Sequence, residues 1–218
     1  MRGVPRYAFA TVSTPAALSW QASLLAAAEP EVDRGFATLV RHHLAGGAWV
    51  DHGPGWLDGA DEVFAALAAT APWQAADRHM YGQVVAQPRL TAWWDASTGT
   101  APFLPIVEEM RTALSSRYGV AFDSVGLNLY RDGRDSVAWH GDRIARHLVD
   151  PLVAIVSLGH PRRFLLRPRS GGASTRFVPG AGDLLVMGGS CQRTWEHAVP
   201  KVAAAGPRIS VTFRHSAP

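Results

Sequence analysis

Cysteine is almost absent from this sequence, since Cys191 is the only one among 218 residues. A single cysteine excludes an internal disulfide framework and any zinc site built from several cysteines. The thiol is expected to be a small buried apolar group, and nucleophilic chemistry is the less common alternative. The chemistry of this chain is therefore expected to depend on other residue types.

Lysine is equally rare: Lys201 is the only one among 21 basic residues, so nearly every positive charge belongs to arginine. Residues 1–75 have a net charge of −3, and the remainder has a net charge of +6. Arginine binds phosphates and carboxylates through paired hydrogen bonds, so the basic part suits an anionic partner such as nucleic acid. A bias in genome composition explains the same arginine content, and both explanations stay open.

Long apolar runs are also missing. No run reaches the roughly 18 residues that a membrane-spanning helix needs, and the first residues, MRGVPRYAFATVS, lack the apolar core of a secretory signal. The sequence has neither an internal repeat nor a glycine-rich phosphate loop. With 47% hydrophobic and 18% charged residues, it is typical of a globular protein with one sizeable core. We expect a cytoplasmic protein without membrane contact or an obligate protein partner.

The first part of the chain has the spacing of apolar residues that indicates helices. The candidate helices are PAALSWQASLLAAAE, EVDRGFATLVRHHLAGG and GADEVFAALAATAPW, with ends marked by Gly46-Gly47 and Pro72. A further helix is expected from Phe103 to Tyr118, with Gly119 ending it in the left-handed conformation. We expect residues 1–78 to form a mostly helical extension packed against a second domain, residues 79–218.

After residue 120 the pattern changes to short apolar or alternating runs that glycine and proline separate. Eight such runs follow one another: SVGLNLY, SVAWHGD, PLVAIVSLG, RRFLLRP, STRFVPG, GDLLVMGG, TWEHAVP and PRISVTFRH. Short strands with frequent turns predict an antiparallel sandwich or a jelly roll. The chain as a whole is expected to belong to the α+β class.

The segment VAWHGDRI carries the first candidate metal ligands, His140 and Asp142. Side chains two residues apart in a strand lie on the same face, so both can contact one ion. His197, in TWEHAVP, is the best candidate for a ligand from a distant part of the chain. Two histidines and one carboxylate in an open site are typical of non-haem Fe(II). An H-x-D pair also occurs by chance, and His147 is a rival ligand.

The last predicted strand, RISVTFR, has four polar side chains on one face and three apolar ones on the other. An ordinary amphipathic strand would turn this polar face to water. If the face points inward instead, its two guanidiniums and two hydroxyls line a pocket, and buried guanidiniums require anionic partners. A small dicarboxylate would supply both negative charges. The polar residues are Arg208, Ser210, Thr212 and Arg214.

The segment GLNLYRDG adds Asn128 and Tyr130, which share a strand face. Their neutral hydrogen-bonding groups are suited to completing a carboxylate site. A polar strand end explains them equally well.

These pieces occur in a characteristic order: N-x-Y, H-x-D, a distant histidine and two arginines six residues apart. The segments LNLYRDGRDSVAWHGD, SLGHPRRFLLR, GDLLVMGGSCQRTWEHAVPK and PRISVTFR resemble the AlkB family of Fe(II)- and 2-oxoglutarate-dependent dioxygenases, over about residues 80–215. The resemblance implies a double-stranded β-helix, which is a jelly roll. It also implies Fe(II) as the metal, with 2-oxoglutarate and O2 as cosubstrates.

Residue by residue, the resemblance implies that His140, Asp142 and His197 hold the iron and act in catalysis. The residues that it assigns to 2-oxoglutarate are Asn128, Tyr130, Arg208, Thr212 and Arg214. Family members decarboxylate 2-oxoglutarate to succinate and hydroxylate a methyl group on a damaged base, which is then lost as formaldehyde. The implied partner is alkylated DNA, either single-stranded or with a flipped base, and RNA is an alternative.

The segment HMYGQVVAQPRLTAWWD resembles the family's nucleotide-recognition lid, at about residues 79–100. A flipped base needs an aromatic surface for stacking, and the arginines of RRFLLRPR are placed to contact phosphates. Core packing of the tryptophans and a solvated arginine surface are the alternatives. The candidate substrate-binding residues are Tyr81, Arg89, Trp93, Trp94, Arg167 and Arg169, with Arg162 and Arg163 beside the last two.

One position departs from the family pattern. Several members carry an acidic residue two positions after the metal aspartate, where it helps to read the base, and this chain has Ile144 there. Base preference is therefore expected to differ. Two other functions stay open: the same iron chemistry on RNA, protein or a small molecule, and a non-catalytic jelly-roll binding module. The complete set of metal ligands and both arginines argue against the binding module.

Overall fold

The computed structural model describes residues 9–11, 18, 29–80, 83–142 and 148–216. Within these residues the α-helices are α1 (Ala60–Thr70), α2 (Pro105–Tyr118) and α3 (Cys191–Thr194), and 3₁₀ turns lie at Ala45–Gly47 and Ala96–Thr98. The strands are β1 (Phe9–Thr11), β2 (Glu31–Val32), β3 (Val40–His43), β4 (Ala48–Gly53), β5 (Leu57–Asp58), β6 (Gln74–Met80), β7 (Gln83–Asp95), β8 (Ser124–Tyr130), β9 (Val137–His140), β10 (Val153–Gly159), β11 (Phe164–Pro168), β12 (Thr175–Phe177), β13 (Leu184–Gly189), β14 (Trp195–Val199) and β15 (Arg208–Arg214).

Two antiparallel sheets make up the centre of the protein. The larger sheet has the order β1-β6-β7-β8-β15-β10-β13-β4-β3, and the smaller has the order β12-β11-β14-β9, while β2 and β5 form a separate short pair. Strands remote in sequence are neighbours in both sheets: β8 pairs with β15, and β9 pairs with β14. Facing antiparallel sheets with such crossovers form a jelly roll, so the predicted fold class is confirmed.

Apolar side chains form two cores, one on each face of the larger sheet. The first core packs α1 and α2 against β7, β8, β10 and β15, and the second fills the space between the two sheets. Strand β15 divides its side chains between these faces. Ile209, Val211 and Phe213 belong to the helix-covered core, which leaves the alternate, polar residues on the face toward the smaller sheet. The strand thus both supports the core and supplies the site described below.

Most of the predicted elements are confirmed. The predicted helices at GADEVFAALAATAPW and at 103–118 correspond to α1 and α2, and each of the eight predicted strands after residue 120 has its counterpart from β8 to β15. Gly119 ends α2 with a φ of 68°, and its N–H donates to the carbonyl of Ser115. No described helix has both the length and the apolar character needed to cross a membrane.

The helix predicted over residues 31–47 is wrong, because this segment forms β2, β3 and a 3₁₀ turn. The Asp33 carboxylate accepts hydrogen bonds from the N–H groups of Gly35 and Ala37, at 2.9 and 2.7 Å. Such local bonds compete with helical ones. Downstream, Val40–His43 pairs with β4 and forms an edge of the larger sheet. Turn chemistry and strand pairing therefore outweigh the apolar spacing.

The description of residues 1–78 as mostly helical is also wrong for 29–78, where α1 is accompanied by strands β2 to β6. Strand β6 runs across the predicted boundary after residue 78, and β3 and β4 extend the opposite end of the same sheet. The described part of this region is therefore joined to the rest through one sheet. The helix predicted at PAALSWQASLLAAAE lies almost entirely outside the described residues.

Candidate metal centre

Two histidines remote in sequence stand opposite each other in the smaller sheet. His140 is the last residue of β9, His197 lies in β14, and the two are register partners. Their ring centroids are 4.2 Å apart, with the rings inclined at 58°. Directly opposed residues of an antiparallel pair bring their side chains together, so the pairing of β9 with β14 creates this contact.

Asp142 completes the group. The sequence pattern placed Asp142 in the strand, but in the structure it lies after the end of β9. One ligand atom from each of Asp142, His140 and His197 nevertheless lies within 4.8 Å of the others. Its Oδ1 accepts a hydrogen bond from Arg214 Nη2 at 3.2 Å. Its Oδ2 is buried and has no hydrogen-bond partner within the described part of the chain. A buried carboxylate oxygen without a partner is suited to a cation.

The protonation states of the three residues favour metal binding. His140 Nδ1 lies 2.9 Å from the carbonyl oxygen of Ala138, which can only accept, so Nδ1 carries the proton and Nε2 presents its lone pair. Burial lowers the pKa of His140, and burial together with the neighbouring His140 lowers the pKa of His197 to about 3. Burial raises the pKa of Asp142, but Arg214 and the two imidazoles outweigh it and hold this pKa at about 2. At neutral pH the site therefore offers two neutral imidazoles and one carboxylate.

This donor set fits one metal ion. Two imidazoles and a carboxylate on one side of an open site form the facial arrangement that non-haem Fe(II) oxygenases use, with positions left for other ligands. The hydrogen bond at His140 Nδ1 is the kind that fixes the tautomer of a metal ligand. The convergence of His140, Asp142 and His197 thus agrees with the sequence-based prediction.

A cavity of about 220 Å³ opens beside the three residues. The polar face of β15 points into this cavity. This agrees with the interpretation that the face turns inward, and not with the alternative that it faces water. Arg208 is 1% exposed, and its Nη2 donates to Ser157 Oγ at 2.8 Å. Its Nε and Nη1 have no hydrogen-bond partner among the residues that the structure describes. A buried guanidinium with two such groups suits a carboxylate. The β15 residues lining the cavity are Arg208, Ser210, Thr212 and Arg214.

The residues predicted from β8 line the same cavity. Asn128 Nδ2 donates to Ser210 Oγ at 3.2 Å, and its Oδ1 accepts from Arg89 Nε at 2.9 Å. The Tyr130 ring centroid lies 5.2 Å from the guanidinium carbon of Arg208. Arg89 was predicted to contact substrate, and the structure places it in the cavity wall.

Apolar side chains also line the cavity, and sequence analysis did not predict them. Phe164 stacks on His197 with a centroid distance of 5.3 Å and an interplanar angle of 25°. Apolar walls lower the local dielectric and strengthen the electrostatic contacts inside. The only sequence signal was that these residues lie in strands next to the candidate ligands. The apolar lining residues are Val137, Ile155, Phe164 and Val199.

Comparison with known families agrees with this geometry. The sequence model of the 2OG-Fe(II) oxygenase superfamily matches residues 59–214. The chain belongs to this superfamily. Its members use Fe(II), 2-oxoglutarate and O2, so the predicted cofactor and cosubstrates are confirmed.

Similarity to individual proteins assigns the chain to a smaller group within this superfamily. The chain is 32% identical to alpha-ketoglutarate-dependent dioxygenase alkB homolog 3 of Bos taurus over 186 residues, which covers 74% of this chain and 64% of that protein. It is 32% identical to DNA oxidative demethylase ALKBH2 of Arabidopsis thaliana, covering 66% and 58%. The chain therefore spans slightly less than two thirds of the length of these relatives. The similarities confirm the resemblance to the AlkB family.

The fold is also shared with a solved structure. The structure of OsALKBH1 matches with a TM-score of 0.55 at 15% identity, covering 81% of this chain and all of that one. At this level of identity the match supports the jelly-roll fold.

In this 2OG-Fe(II) oxygenase the candidate base-stacking residues differ in their exposure to solvent. Trp93 is 51% exposed, and Arg214 packs against its ring with the guanidinium carbon 5.7 Å from the centroid. Trp94 lies in the helix-covered core, and its indole N–H donates to the carbonyl of Thr100 at 2.9 Å. The structure thus favours core packing for Trp94. Tyr81, Ile144 and His147 lie outside the described residues.

The candidate phosphate-contacting arginines also differ in their exposure and in the groups that they contact. Arg162 is 2% exposed and donates to the carbonyls of Asp132, Asp135 and Pro200, so the prediction that it tracks phosphates is wrong. Arg163 is exposed. Arg167 pairs with Glu196 and lies over the Trp139 ring, and Arg169 Nε donates to the carbonyl of Trp195.

Gln192 contacts the metal-ligand residue Asp142, and sequence analysis did not predict this contact. It is 3% exposed, and its Oε1 accepts a hydrogen bond from the backbone N–H of Asp142 at 3.4 Å. Its Nε2 donates to the sulfur of Met187 at 3.7 Å. A buried amide next to the metal ligands was not recognisable from the segment GSCQRTW.

Proposed function

We propose that this oxygenase oxidatively demethylates alkylated nucleic-acid bases, in DNA that is single-stranded or has a flipped base. The observation that carries the proposal is the convergence of the three ligand atoms within 4.8 Å beside an arginine-lined cavity. Metal, cosubstrate and substrate would thus meet in one enclosed site.

Each part of the site has a role in this reaction. When bound, Fe(II) supplies the activation of O2, which couples the oxidation of 2-oxoglutarate to succinate and CO2 with hydroxylation of a methyl group. His140, Asp142 and His197 would hold the ion. Arg208 would bind the remote carboxylate of 2-oxoglutarate through the two N–H groups that have no partner within the described residues.

The surroundings of the site control solvent and orientation. The apolar wall around Phe164 keeps water from the reacting groups. Asn128 and Tyr130 contribute neutral hydrogen-bonding groups on the opposite side of the cavity. The carbinolamine formed by hydroxylation of an N-methyl group loses formaldehyde and leaves the unmodified base, so the protein need only release the product.

The nucleic-acid substrate is supported by two observations. The ALKBH2 relative of Arabidopsis thaliana carries the name DNA oxidative demethylase. The exposed indole of Trp93 offers a stacking surface beside Arg214, which lines the cavity. Stacking on an aromatic side chain is the usual way to hold an extruded base.

The test is a screen of oligonucleotides that carry one methylated base, with succinate and formaldehyde measured together. We expect equal amounts of both products with 1-methyladenine or 3-methylcytosine in single-stranded DNA. The unmethylated oligonucleotide is the control, and it should give no formaldehyde. Formaldehyde from RNA alone would transfer the proposal to RNA. Succinate without formaldehyde from any methylated oligonucleotide would argue for a protein or small-molecule substrate.

A further inference from the structure

An exposed aromatic side chain is connected to a metal ligand through one guanidinium. Trp93, in β7, is 51% exposed, and its ring lies against Arg214. Arg214 Nη2 in turn donates to Asp142 Oδ1 at 3.2 Å. Two contacts therefore separate the open surface of the indole from the carboxylate of the metal centre.

A glycine gives this arrangement its space. Gly126 in β8 is the register partner of Trp93 in β7 and of Thr212 in β15. A Cβ atom at Gly126 would lie 3.1 Å from Arg214 Nη1 and 3.1 Å from a ring carbon of Trp93. Both distances are shorter than ordinary contacts, so a side chain here would push the indole and the guanidinium apart.

The orientation of Arg214 depends on these neighbours. Its side chain is 13% exposed, and that of Asp142 is 11% exposed. Arg214 Nε is buried and has no hydrogen-bond partner in the described part of the chain. The ion pair with Asp142 and the face of Trp93 are thus two contacts that restrain the guanidinium.

We propose that Trp93 is a positioning residue for the metal centre. By packing over Arg214, which sits above Gly126, it keeps the guanidinium on Asp142 Oδ1 and leaves Oδ2 available for the ion. This role goes beyond the proposed function, because it concerns metal binding in the absence of any nucleic acid. The outer face of the same indole stays open for a base.

We expect weaker metal binding without Trp93, because the indole keeps water away from the Arg214 guanidinium. Without the ring, water would reach the guanidinium, and the side chain would gain rotamers that do not contact Asp142. Loss of a group that orients a metal ligand typically weakens metal binding by about 10- to 100-fold. Because Trp93 acts through Arg214, we expect the lower end of this range, about 10-fold.

The experiment measures Mn(II) affinity of the full chain by calorimetry, without 2-oxoglutarate or oligonucleotide. Trp93→Ala should raise the Mn(II) Kd about 10-fold, whereas Trp93→Phe, which keeps an aromatic face, should stay within about 3-fold of the unmodified protein. An unchanged or lower Kd in Trp93→Ala would overturn the proposal. Because the readout needs no substrate, it is independent of whether demethylation is found.

The chain contains a matched control. Arg41 lies over the ring of Trp49 at 3.7 Å and pairs with Asp51, which is the same combination of residues, but none of the three lines the cavity. Trp49→Ala should leave the Mn(II) Kd unchanged although it costs stability. An equal loss of affinity in Trp49→Ala would show general damage and overturn the proposal.

A double-mutant cycle tests the route of the effect. If Trp93 acts through Arg214, Trp93→Ala should add little to the loss of Mn(II) affinity in an Arg214→Ala background. Thermal unfolding of each variant confirms that it is folded. Fully additive losses in the double variant would exclude Arg214 as the link and refute the positioning role.

Discussion

Replacing Arg208 by methionine should make the metal-loaded protein more stable without 2-oxoglutarate and should remove most of the stabilisation that 2-oxoglutarate gives. Arg208 is 1% exposed, and two of its nitrogens have no hydrogen-bond partner among the described residues. Burial lowers the pKa of its guanidinium, and the nearby charge of Arg162 acts in the same direction, although Tyr130 opposes them. In the absence of an anion this charge is therefore a cost to the folded state.

The magnitudes can be worked out from these contacts. Removing a buried charge of this kind stabilises a protein by about 1–4 kcal/mol, and the lost bond to the Ser157 hydroxyl offsets roughly 1 kcal/mol of that. A net gain of about 2 kcal/mol corresponds to a rise of about 4–8 °C in Tm for a chain of this size. Two charge-assisted hydrogen bonds to a carboxylate contribute at least about 3 kcal/mol to binding, so the 2-oxoglutarate Kd should rise about 100-fold or more.

The assay is thermal unfolding with Mn(II) present, which allows 2-oxoglutarate to bind without turnover. At 100 times its Kd the ligand stabilises the unmodified protein by about 2.7 kcal/mol, and this shift should nearly vanish in Arg208→Met. At that concentration the variant, with its roughly 100-fold higher Kd, should gain only about 0.4 kcal/mol, so the rise in Tm caused by 2-oxoglutarate should be several-fold smaller than in the unmodified protein. A variant that is less stable without ligand, or that binds 2-oxoglutarate normally, would refute the reasoning.

Three further predictions follow from described residues. His140→Ala should abolish succinate formation by removing a metal ligand, and substantial activity at saturating iron would contradict the assignment. Burial lowers the pKa of His197 from 6.5 to about 3, so the unfolded chain takes up this proton first as the pH falls. The metal-free protein should therefore lose stability as the pH falls from 6.5 to 3, by up to about 1.4 kcal/mol per pH unit. Urea titrations that show constant or rising stability as the pH falls would contradict this prediction. Arg162→Met should destabilise the protein by about 3 kcal/mol or more, because three backbone carbonyls lose their donor. The exposed Arg163→Met is its control and should change stability by less than about 0.5 kcal/mol; weaker DNA binding by Arg162→Met at unchanged stability would count against this structural role.

The parts of the site that could be predicted from sequence are those that strand periodicity determines. In β15 a strict alternation separates Ile209, Val211 and Phe213 from the polar residues, and the structure uses both faces as that pattern requires. The H-x-D spacing of His140 and Asp142 was informative even though Asp142 lies past the strand end. In the structure one ligand atom of each residue still lies within 4.8 Å of the other.

Other features depend on tertiary contacts that no local pattern records. The helical spacing of residues 31–47 was outweighed by the turn at Asp33 and by the pairing of β3 with β4. Arg162 and Arg163 are adjacent and chemically identical, yet one is buried and the other exposed. The same holds for Trp93 and Trp94, since neighbouring residues of a strand face opposite sides and sequence alone does not say which side is covered.

The pairing of β9 with β14 has a consequence for the edge of the smaller sheet. Strand β9 is the outermost strand at one end of the smaller sheet, and its register with β14 is irregular between the pairs His197–His140 and Val199–Val137. A slip by one residue would turn an imidazole to the opposite face. An ion bound by both histidines would therefore also hold this edge strand in register. Without the ion, this edge strand would lose one restraint on its register.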